Sequence, residues 1–285
     1  CPRAASEMNA SARIGDLWRC ASQRVDRTDA RLLLQYVSNF THSDLIANSE
    51  RELAADQCAR YAALLTRREA GEPLAYLLRS AFFYGLEFAV SPAVLIPRPD
   101  TEALVDRALA EGKRFDAPRI VYLGTGSGIV AIMLARLCSS AQVTAVDLSA
   151  TALAIARANA VQHGANIRFL VGSWYAPLGG ERFDIVVSNP PYIVAGDPHL
   201  LNDGLPFEPR EALTDGVLGG NGMACIRELI DGAPSHLSPG GWILIEHGYD
   251  QAVEVRELLQ KAGFSGVGSW LDAAAIDRVS GGFLP

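Results

Sequence analysis

The 285-residue sequence predicts an α/β protein, in which a helical N-terminal region is followed by a doubly wound, mainly parallel sheet. Two observations support this prediction. From about residue 118, short apolar runs alternate with longer apolar segments, which is typical of parallel strands covered by helices. Residues 6–80 instead carry apolar residues at helical spacing and have no glycine-rich loop. Ligands of doubly wound sheets bind at the carboxyl ends of the strands, so we expect the functional site there.

We expect three parts along the chain. Residues 1–80 form a helical domain that docks a substrate, residues 81–98 form a β-hairpin and linker, and residues 99–285 form the catalytic domain. The hairpin is indicated by aromatic and β-branched residues on both sides of Gly85.

Local patterns predict the individual elements. In the N-terminal part, Thr28 and Asp29 are expected to cap one helix, and Ser49 is expected to open a second helical stretch that ends near 71–73. The predicted strands of the catalytic part are 120–123, 142–146, 167–171, 183–188 and 242–246. Its predicted helices are 101–111, 129–138, 151–163 and 223–236.

Composition excludes several classes of protein. No apolar run reaches 18 residues, so we expect no membrane span. The five cysteines and five histidines show no metal-ligand spacing, and we expect no metal. The net charge is −7, and residues 1–85 hold 11 Arg against 10 Asp and Glu, which leaves −8 on the remainder. This acidity argues against charge-driven binding of long nucleic acids by the catalytic part.

A glycine-rich loop lies between the first apolar strand of the sheet and the apolar helix that follows it. Such a loop allows a tight turn and close approach of the backbone to a ligand. A dinucleotide-binding fingerprint would need a small residue where Ile129 stands. The shorter spacing resembles instead the loop of class I methyltransferases, which faces the methionine part of S-adenosylmethionine. The residues of the loop are Gly124, Thr125, Gly126, Ser127 and Gly128.

Two further residues are candidates for binding the same cofactor. Asp147 ends the next predicted strand, where its carboxylate can accept hydrogen bonds from both ribose hydroxyls; the alternative role is a helix N-cap, which Ser149 could equally supply. Trp174 follows the third strand and can stack beside the adenine, or it can simply pack in the core.

The chemical motif is a run of an amide, two prolines and an aromatic directly after the strand at 183–188. An amide or exocyclic amine nitrogen is a poor nucleophile, and it carries two N–H donors. The Asn189 side-chain oxygen can accept one N–H and the Pro190 carbonyl the other, while Pro191 helps to fix the backbone and Tyr192 stacks on the planar group. This is catalysis by positioning, without a metal or a strong base.

Several segments together resemble the PrmC/HemK family of release-factor glutamine methyltransferases, in order and spacing over nearly the whole chain. The motif at 189–192 also occurs in DNA adenine and RNA guanine methyltransferases and is not specific. The segments at 94–102 and 207–213 are far more specific. The matching segments are 72–76, 94–102, 124–128, 188–192, 207–213 and 276–279.

This resemblance implies a five-helix N-terminal domain, joined by the hairpin to a class I methyltransferase domain with a seven-stranded sheet. It implies an S-adenosylmethionine-dependent protein-(glutamine-N5) methyltransferase that modifies the Gly-Gly-Gln motif of peptide-chain release factors, in translation termination and in the cytoplasm. The loop at 124–128, Asp147, Trp174 and Asn189 would bind the cofactor, and residues 189–192 would hold the glutamine amide. The N-terminal domain would bind the release factor.

Two other functions compete with this one. A nucleic-acid methyltransferase would use the same motif on adenine or guanine amino groups, but the −8 charge on residues 86–285 and the absence of a recognisable nucleic-acid-binding module count against it. A weakly active cofactor-binding or interaction protein is suggested only by Tyr122, because the family usually has Asp there. The intact motif at 189–192 argues against that reading.

The departure at Tyr122 gives a first prediction. An acid at this position would help to order the loop near the charged end of the cofactor, whereas the glycines set the geometry of the loop. We predict that Tyr122→Asp leaves the affinity for S-adenosylmethionine equal or improves it, as measured by calorimetry. A clear weakening would show that Tyr122 itself makes a useful contact.

Overall fold

The structure is a computed structural model that describes residues 12–285. These residues form two compact units. The first unit contains the described residues up to Arg79 together with Asp203–Phe207. The second unit contains Ser80–Asn202 and Glu208–Pro285.

Within the described part of the first unit, five helices share one apolar core. The hydroxyl of Tyr61 donates a hydrogen bond of 2.9 Å to the Ala30 carbonyl and so joins two of these helices. Two short strands, β1 (Ala12–Arg13) and β2 (Glu52–Leu53), pair antiparallel beside them. The helices are α1 (Ile14–Ala21), α2 (Arg27–Ser38), α3 (His42–Ala47), α4 (Ala55–Glu69) and α5 (Leu74–Leu78).

The predicted starts of two of these helices are wrong. Helix α2 is capped by Asp26, whose carboxylate accepts hydrogen bonds from the backbone N–H groups of Thr28 at 2.7 Å and Asp29 at 3.4 Å. The carboxylate lies one residue before the helix and reaches the second and third helical N–H groups, as an N-cap requires. Helix α4 begins at Ala55, well beyond Ser49, whose carbonyl accepts from a residue of α1 instead.

The predicted hairpin is present and lies in the second unit. Strands β3 (Ser80–Phe83) and β4 (Leu86–Ala89) pair antiparallel. Tyr84 and Gly85 connect them with φ values of 53° and 75°, the left-handed turn that suits the right-handed twist of a two-stranded ribbon. Phe88 points into the apolar core of the second unit.

A seven-stranded sheet forms the centre of the second unit and confirms the predicted fold class. Its strand order is β12-β13-β11-β8-β5-β6-β7, in which the five strands from β11 to β7 are parallel and the two at the β12 edge are antiparallel. The strands are β5 (Arg119–Leu123), β6 (Gln142–Asp147), β7 (Ile167–Val171), β8 (Phe183–Ser188), β11 (Leu237–Glu246), β12 (Ser265–Leu271) and β13 (Asp277–Phe283).

Two separate apolar cores show that the sheet is covered by helices on both faces. One core contains residues of the first three helices of this unit, and the other contains residues of the last two. No helix between residues 12 and 285 has the length and apolarity to cross a membrane. The helices are α6 (Glu102–Gly112), α7 (Ile129–Leu137), α8 (Ala150–Gln162), α9 (Ala224–His236) and α10 (Ala252–Lys261).

Several elements were not predicted from the sequence. These elements include helix α10 and the two strands at the antiparallel edge of the sheet, β12 and β13. They also include two short strands, β9 (Ile193–Ala195) and β10 (Thr214–Leu218), which form a separate parallel pair. Glycines interrupt the pattern of β10, β12 and β13, so their apolar alternation is weak. Strand β11 also starts five residues earlier than predicted, because the chain passes through a register shift between Leu237 and Trp242.

Asn159 joins the hairpin, α8 and the glycine-rich loop. Its fully buried side chain accepts a hydrogen bond from the Ala89 N–H at 2.8 Å and donates to the Ala89 carbonyl at 3.0 Å. It also donates to the Ser127 carbonyl at 2.8 Å. One amide thus satisfies three backbone groups of two different segments, and it holds the loop against the helix.

We predict that Asn159→Ala lowers the free energy of unfolding by about 3 kcal/mol, because buried backbone groups lose their partners at a cost of ~1–3 kcal/mol each. Urea denaturation measures the change. The control Gln162→Ala removes one exposed bond from the same helix, to the Glu87 carbonyl, and should change stability by less than about 0.5 kcal/mol. Equal losses in both variants would contradict this role of Asn159.

Candidate functional site

A cavity of about 620 Å³ lies at the carboxyl ends of β5, β6 and β8. Strand β5 pairs with β6 on one side and with β8 on the other, so the direction of the strand order reverses at β5. Such a reversal opens a crevice in a doubly wound sheet, because the connections on its two sides run to opposite faces. The sequence motifs that follow these three strands therefore meet at one place.

The glycine-rich loop has the backbone conformation that its sequence requires. Gly124, Gly126 and Gly128 have φ values of 75°, 53° and 85°, in the left-handed region that disfavours side chains. A Cβ on Gly124 would lie 3.3 Å from the ring of Trp174, and one on Gly128 would lie 3.0 Å from the Cβ of Ala156. Gly126 has open space instead, on the side where the cavity lies.

The loop residues divide into two groups by position. Gly124, Thr125, Gly126 and Ser127 line the cavity, whereas Gly128 is not part of the lining and serves the close packing of α7 on α8. The backbone N–H groups of Gly124 and Thr125 both donate to the Val146 carbonyl at 2.9 Å, which fixes the loop on the end of β6.

Asp147 lies in the cavity wall and orders the loop. Its two carboxylate oxygens accept hydrogen bonds from the N–H groups of Gly126 at 2.7 Å and Ser149 at 2.8 Å. Burial raises the pKa of Asp147, while these two hydrogen bonds oppose the rise. The alternative role as cap of α8 is filled by Ser149, whose hydroxyl accepts from the Ala152 N–H at 3.1 Å.

Trp174 places its ring against the glycine-rich loop and lines the cavity. The residue has a φ of 40°, an unusual conformation for a bulky side chain. Its indole N–H donates to a carboxylate oxygen of Glu228 on α9 at 3.1 Å, which fixes the plane of the ring. A flat ring at this position can contact a flat ligand group.

The motif at 189–192 is only partly exposed to the cavity. Asn189 and Pro191 line it, whereas Pro190 is buried and Tyr192 packs against the core beneath α9 and α10. The Asn189 side-chain N–H₂ donates to the Thr101 hydroxyl oxygen at 3.3 Å. The Tyr192 hydroxyl donates to Glu246 at 3.4 Å. The structure thus brings Asn189 to the loop and Asp147, and leaves the hydroxyl end of Tyr192 behind the wall.

Tyr122 is the fourth of the five residues of β5 and contributes to the floor of the cavity. It is 4% exposed and packs in the core below the loop. Burial raises the pKa of its hydroxyl, and the negative charges of Glu246 and Asp147 raise it further. The phenol therefore stays neutral in the floor of the cavity.

Sequence reasoning missed several residues of the site. Residues 93–98 and 209–216 form much of the wall, and Thr101 holds Asn189. The buried Glu208 joins the first two of these segments, since it accepts from the Ile96 N–H at 3.0 Å and from Arg98 at 2.5 Å. The sequence predicts only a linker and a family resemblance for these segments. The opposite charges of Arg98 and Glu208 are the signal that the two segments bind each other.

Comparison with known proteins identifies the relatives of this chain. Residues 19–78 match the PrmC N-terminal domain family, and residues 100–201 match the methyltransferase small domain family. A release factor glutamine methyltransferase from Burkholderia pseudomallei is 47% identical over 268 residues, which cover 92% of this chain and 93% of that protein. One from Bordetella pertussis is 46% identical over 265 residues, covering 93% and 97%.

A solved structure supports the fold independently. The crystal structure of a methyltransferase from Pyrococcus furiosus aligns with a TM-score of 0.52 over 80% of this chain and 98% of that one. The two sequences are 19% identical, so this likeness concerns the fold alone.

The geometry of Asp147 gives a prediction for cofactor binding. We predict that Asp147→Ala raises the dissociation constant for S-adenosylmethionine about tenfold or more, because hydrogen bonds to a charged group are worth ~1.5–3 kcal/mol. The dissociation constant of Asp147→Asn should lie between those of the wild type and Asp147→Ala, because the asparagine amide keeps one acceptor oxygen. Calorimetry measures both, with Asp231→Ala on the exposed side of α9 as the control. An unchanged constant in Asp147→Ala would exclude a contact with the cofactor.

Proposed function

The chain belongs to the release factor glutamine methyltransferase family, and from this membership we propose that it methylates the glutamine of the Gly-Gly-Gln motif in peptide-chain release factors. The methyl group comes from S-adenosylmethionine and goes to the side-chain amide nitrogen. The N-terminal helical unit, which holds the matched PrmC N-terminal domain, is proposed to bind the release factor.

The residues of the cavity fit S-adenosylmethionine. The volume of about 620 Å³ suits a ligand of this size, since ligand pockets span roughly 300–1,000 Å³. The loop at 124–128 would face the methionine part, Asp147 would accept from the ribose hydroxyls, and Trp174 would lie beside the adenine. When bound, the cofactor supplies an electrophilic methyl group, which the amide nitrogen takes with its lone pair as the carbon–sulfur bond breaks and a proton leaves to water.

The observation that carries the proposal is the orientation of Asn189 in the cavity wall. Its N–H₂ group donates a hydrogen bond to the Thr101 hydroxyl oxygen, so its side-chain oxygen is free to accept a hydrogen bond from a ligand. That oxygen would accept one N–H of the substrate amide, and the Pro190 carbonyl would accept the other. Tyr192 would contact the flat face of the amide with its ring while its hydroxyl is held by Glu246.

Positioning of this kind is sufficient catalysis for a weak nucleophile. Both N–H groups of the amide are held, so the nitrogen lone pair can be directed at the methyl group without a base that removes a proton first. Favourable orientation of two reactants can be worth about 7–11 kcal/mol of the barrier. A fixed acceptor also needs no reorganisation during the reaction.

We propose that the protein does not methylate nucleic acid directly. We also propose that it acts in the cytoplasm, where release factors work in translation. The −8 charge carried by residues 86–285 supports the first proposal, because binding to nucleic acid depends largely on positive side chains at the phosphates. A nucleic-acid methyltransferase remains the competing function, since the motif at 189–192 suits base amino groups equally well.

Methyl transfer from labelled S-adenosylmethionine distinguishes the two functions. Purified release factors, tRNA and DNA fragments are offered in parallel reactions. The proposal expects label on the release factor, and expects it to disappear when the glutamine of the Gly-Gly-Gln motif is replaced by alanine. Label on nucleic acid alone would overturn the proposal.

The role of Asn189 is tested by one variant and one control. We predict that Asn189→Ala lowers turnover by about 100-fold or more, because a misplaced reacting group can cost that much. The fold should persist, since Asn189 is half-buried at the cavity and makes a single long hydrogen bond. Asn202→Ala, at an exposed asparagine of the same unit, should keep normal turnover. Unimpaired turnover in Asn189→Ala would remove this residue from the mechanism.

A further inference from the structure

A buried glutamine holds the end of the substrate motif at 189–192. Gln251 directly precedes α10, is 9% exposed and does not line the cavity. Its side-chain Nε2 donates to the Tyr192 carbonyl at 3.1 Å and to the Asn221 carbonyl at 3.2 Å. Its Oε1 accepts from the Gly248 N–H at 2.8 Å. One side chain therefore joins the motif to the segments that follow β10 and β11.

The three partners of this amide allow it only one orientation. Two of them are backbone carbonyls, which accept, and one is a backbone N–H, which donates. A side-chain amide carries its donors on nitrogen and its acceptors on oxygen, so the reversed group would place oxygen against two oxygens. Gln251 is therefore a fixed donor to the Tyr192 carbonyl.

The peptide unit that follows Tyr192 is also held from its other side. The N–H of Ile193 belongs to the same planar unit as the Tyr192 carbonyl, and it donates to the Leu213 carbonyl at 2.9 Å. Rotation of this unit would break the bonds on both sides. The direction of the backbone at the end of the motif is thereby fixed.

Close packing around the Tyr192 carbonyl adds to this constraint. Gly222 is buried and has a φ of 74°, and a Cβ built on it would overlap the Tyr192 carbonyl oxygen. The carbonyl oxygen thus lies between the backbone of Gly222 and the side chain of Gln251. A larger residue at position 222 must displace it.

The other end of the motif is fixed by the sheet. Ser188 is the last residue of β8, and its buried hydroxyl donates to the Leu123 carbonyl on β5 at 2.8 Å. Only Asn189 and two prolines, whose rings restrict φ, lie between this anchor and Tyr192. The directions of the Asn189 side chain and the Pro190 carbonyl therefore depend on both anchors.

We propose that Gln251 is a positioning residue for methyl transfer, which holds the Tyr192 end of the motif so that Asn189 and the Pro190 carbonyl can bind the substrate amide together. This inference rests on the proposed function, because it concerns the same amide-binding motif. Gln251 lies outside the cavity lining and acts only through the Tyr192 backbone. Its loss should slow the reaction and leave cofactor binding intact.

The first test removes the hydrogen bonds of Gln251 and keeps the length of its side chain. Gln251→Met should lower kcat about 30-fold, because a reacting group misplaced by 1 Å can cost roughly 100-fold. The KM and the dissociation constant for S-adenosylmethionine should not change, since the loop at 124–128 and Asp147 keep their own bonds. Kinetics and calorimetry on the same full-length preparations measure both, with the melting temperature as a check of folding.

The control for this test is the same substitution on the same helix. Gln260→Met, at an exposed position of α10, should keep the wild-type kcat. A wild-type kcat in Gln251→Met would overturn the proposal. A loss of cofactor affinity as large as the loss of kcat would also overturn it, because it would show a general disturbance of the site.

The second test separates the bond to Tyr192 from the bond to Gly248. Gln251→Glu keeps an acceptor for the Gly248 N–H, but its carboxylate has no donor for the Tyr192 carbonyl. At about pH 9, well above the ordinary pKa of a glutamate, kcat should fall at least as far as in Gln251→Met. A kcat near that of the wild type would show that Gln251 only closes the turn at 248–251, and would overturn the proposal.

The third test displaces the same carbonyl from its other side. Gly222→Ala should lower kcat, and the double variant with Gln251→Met should lose less than the product of the two single losses, because both changes act on one carbonyl. Two losses that multiply would overturn the shared role. If Gly222→Ala does not fold, the two Gln251 variants decide the outcome.

The outcomes also separate this inference from the proposed function. A wild-type protein that binds S-adenosylmethionine but labels no release factor contradicts the proposed function. A wild-type protein that labels the glutamine, with Gln251 variants that keep the wild-type kcat, contradicts only the positioning role.

Discussion

The functional site depends on one short segment, residues 96–102, which is bound by its side chains to four other parts of the second unit. Two prolines restrict its backbone, so each side chain leaves it in a fixed direction. The resulting bonds connect this segment to the hairpin, to the motif at 189–192 after β8, to the antiparallel edge of the sheet and to the wall of the cavity. They join Arg98 to Glu208, Asp100 to Arg278, Thr101 to Asn189 and Glu102 to the Tyr84 N–H.

These bonds fix geometry more than they stabilise the fold. The carboxyl group of Glu208 is almost completely buried, and the cost of removing its charge from water offsets much of the stabilisation that its partners provide. Stability comes from the two apolar cores on the faces of the sheet. A reaction that relies on alignment of a weak nucleophile needs such geometry, because a fixed acceptor works only when its position and its direction are both held.

The fold and much of the site could be predicted from the sequence because both follow from local patterns. Alternation of apolar runs predicted five of the seven strands. The rule that ligands bind at strand carboxyl ends predicted that the loop at 124–128, Asp147 and Asn189 lie together, and the structure places all of them except Gly128 at the cavity. Strands β12 and β13 were not predicted, because glycines weaken the alternation of apolar and polar residues in them. The starts of α2 and α4 were misplaced because several neighbouring polar residues could each have capped a helix.

By itself, the sequence determined the class of fold and the family, and it predicted the residues for cofactor and amide binding, since each of these follows from contiguous motifs. Only the tertiary structure decided what holds those motifs in place. Thr101 and Asn189 are 88 positions apart. Glu246 reaches Tyr192 from a third segment through the pairing of β11 with β8. Contacts across such distances depend on strand order and register, which nearby residues do not specify.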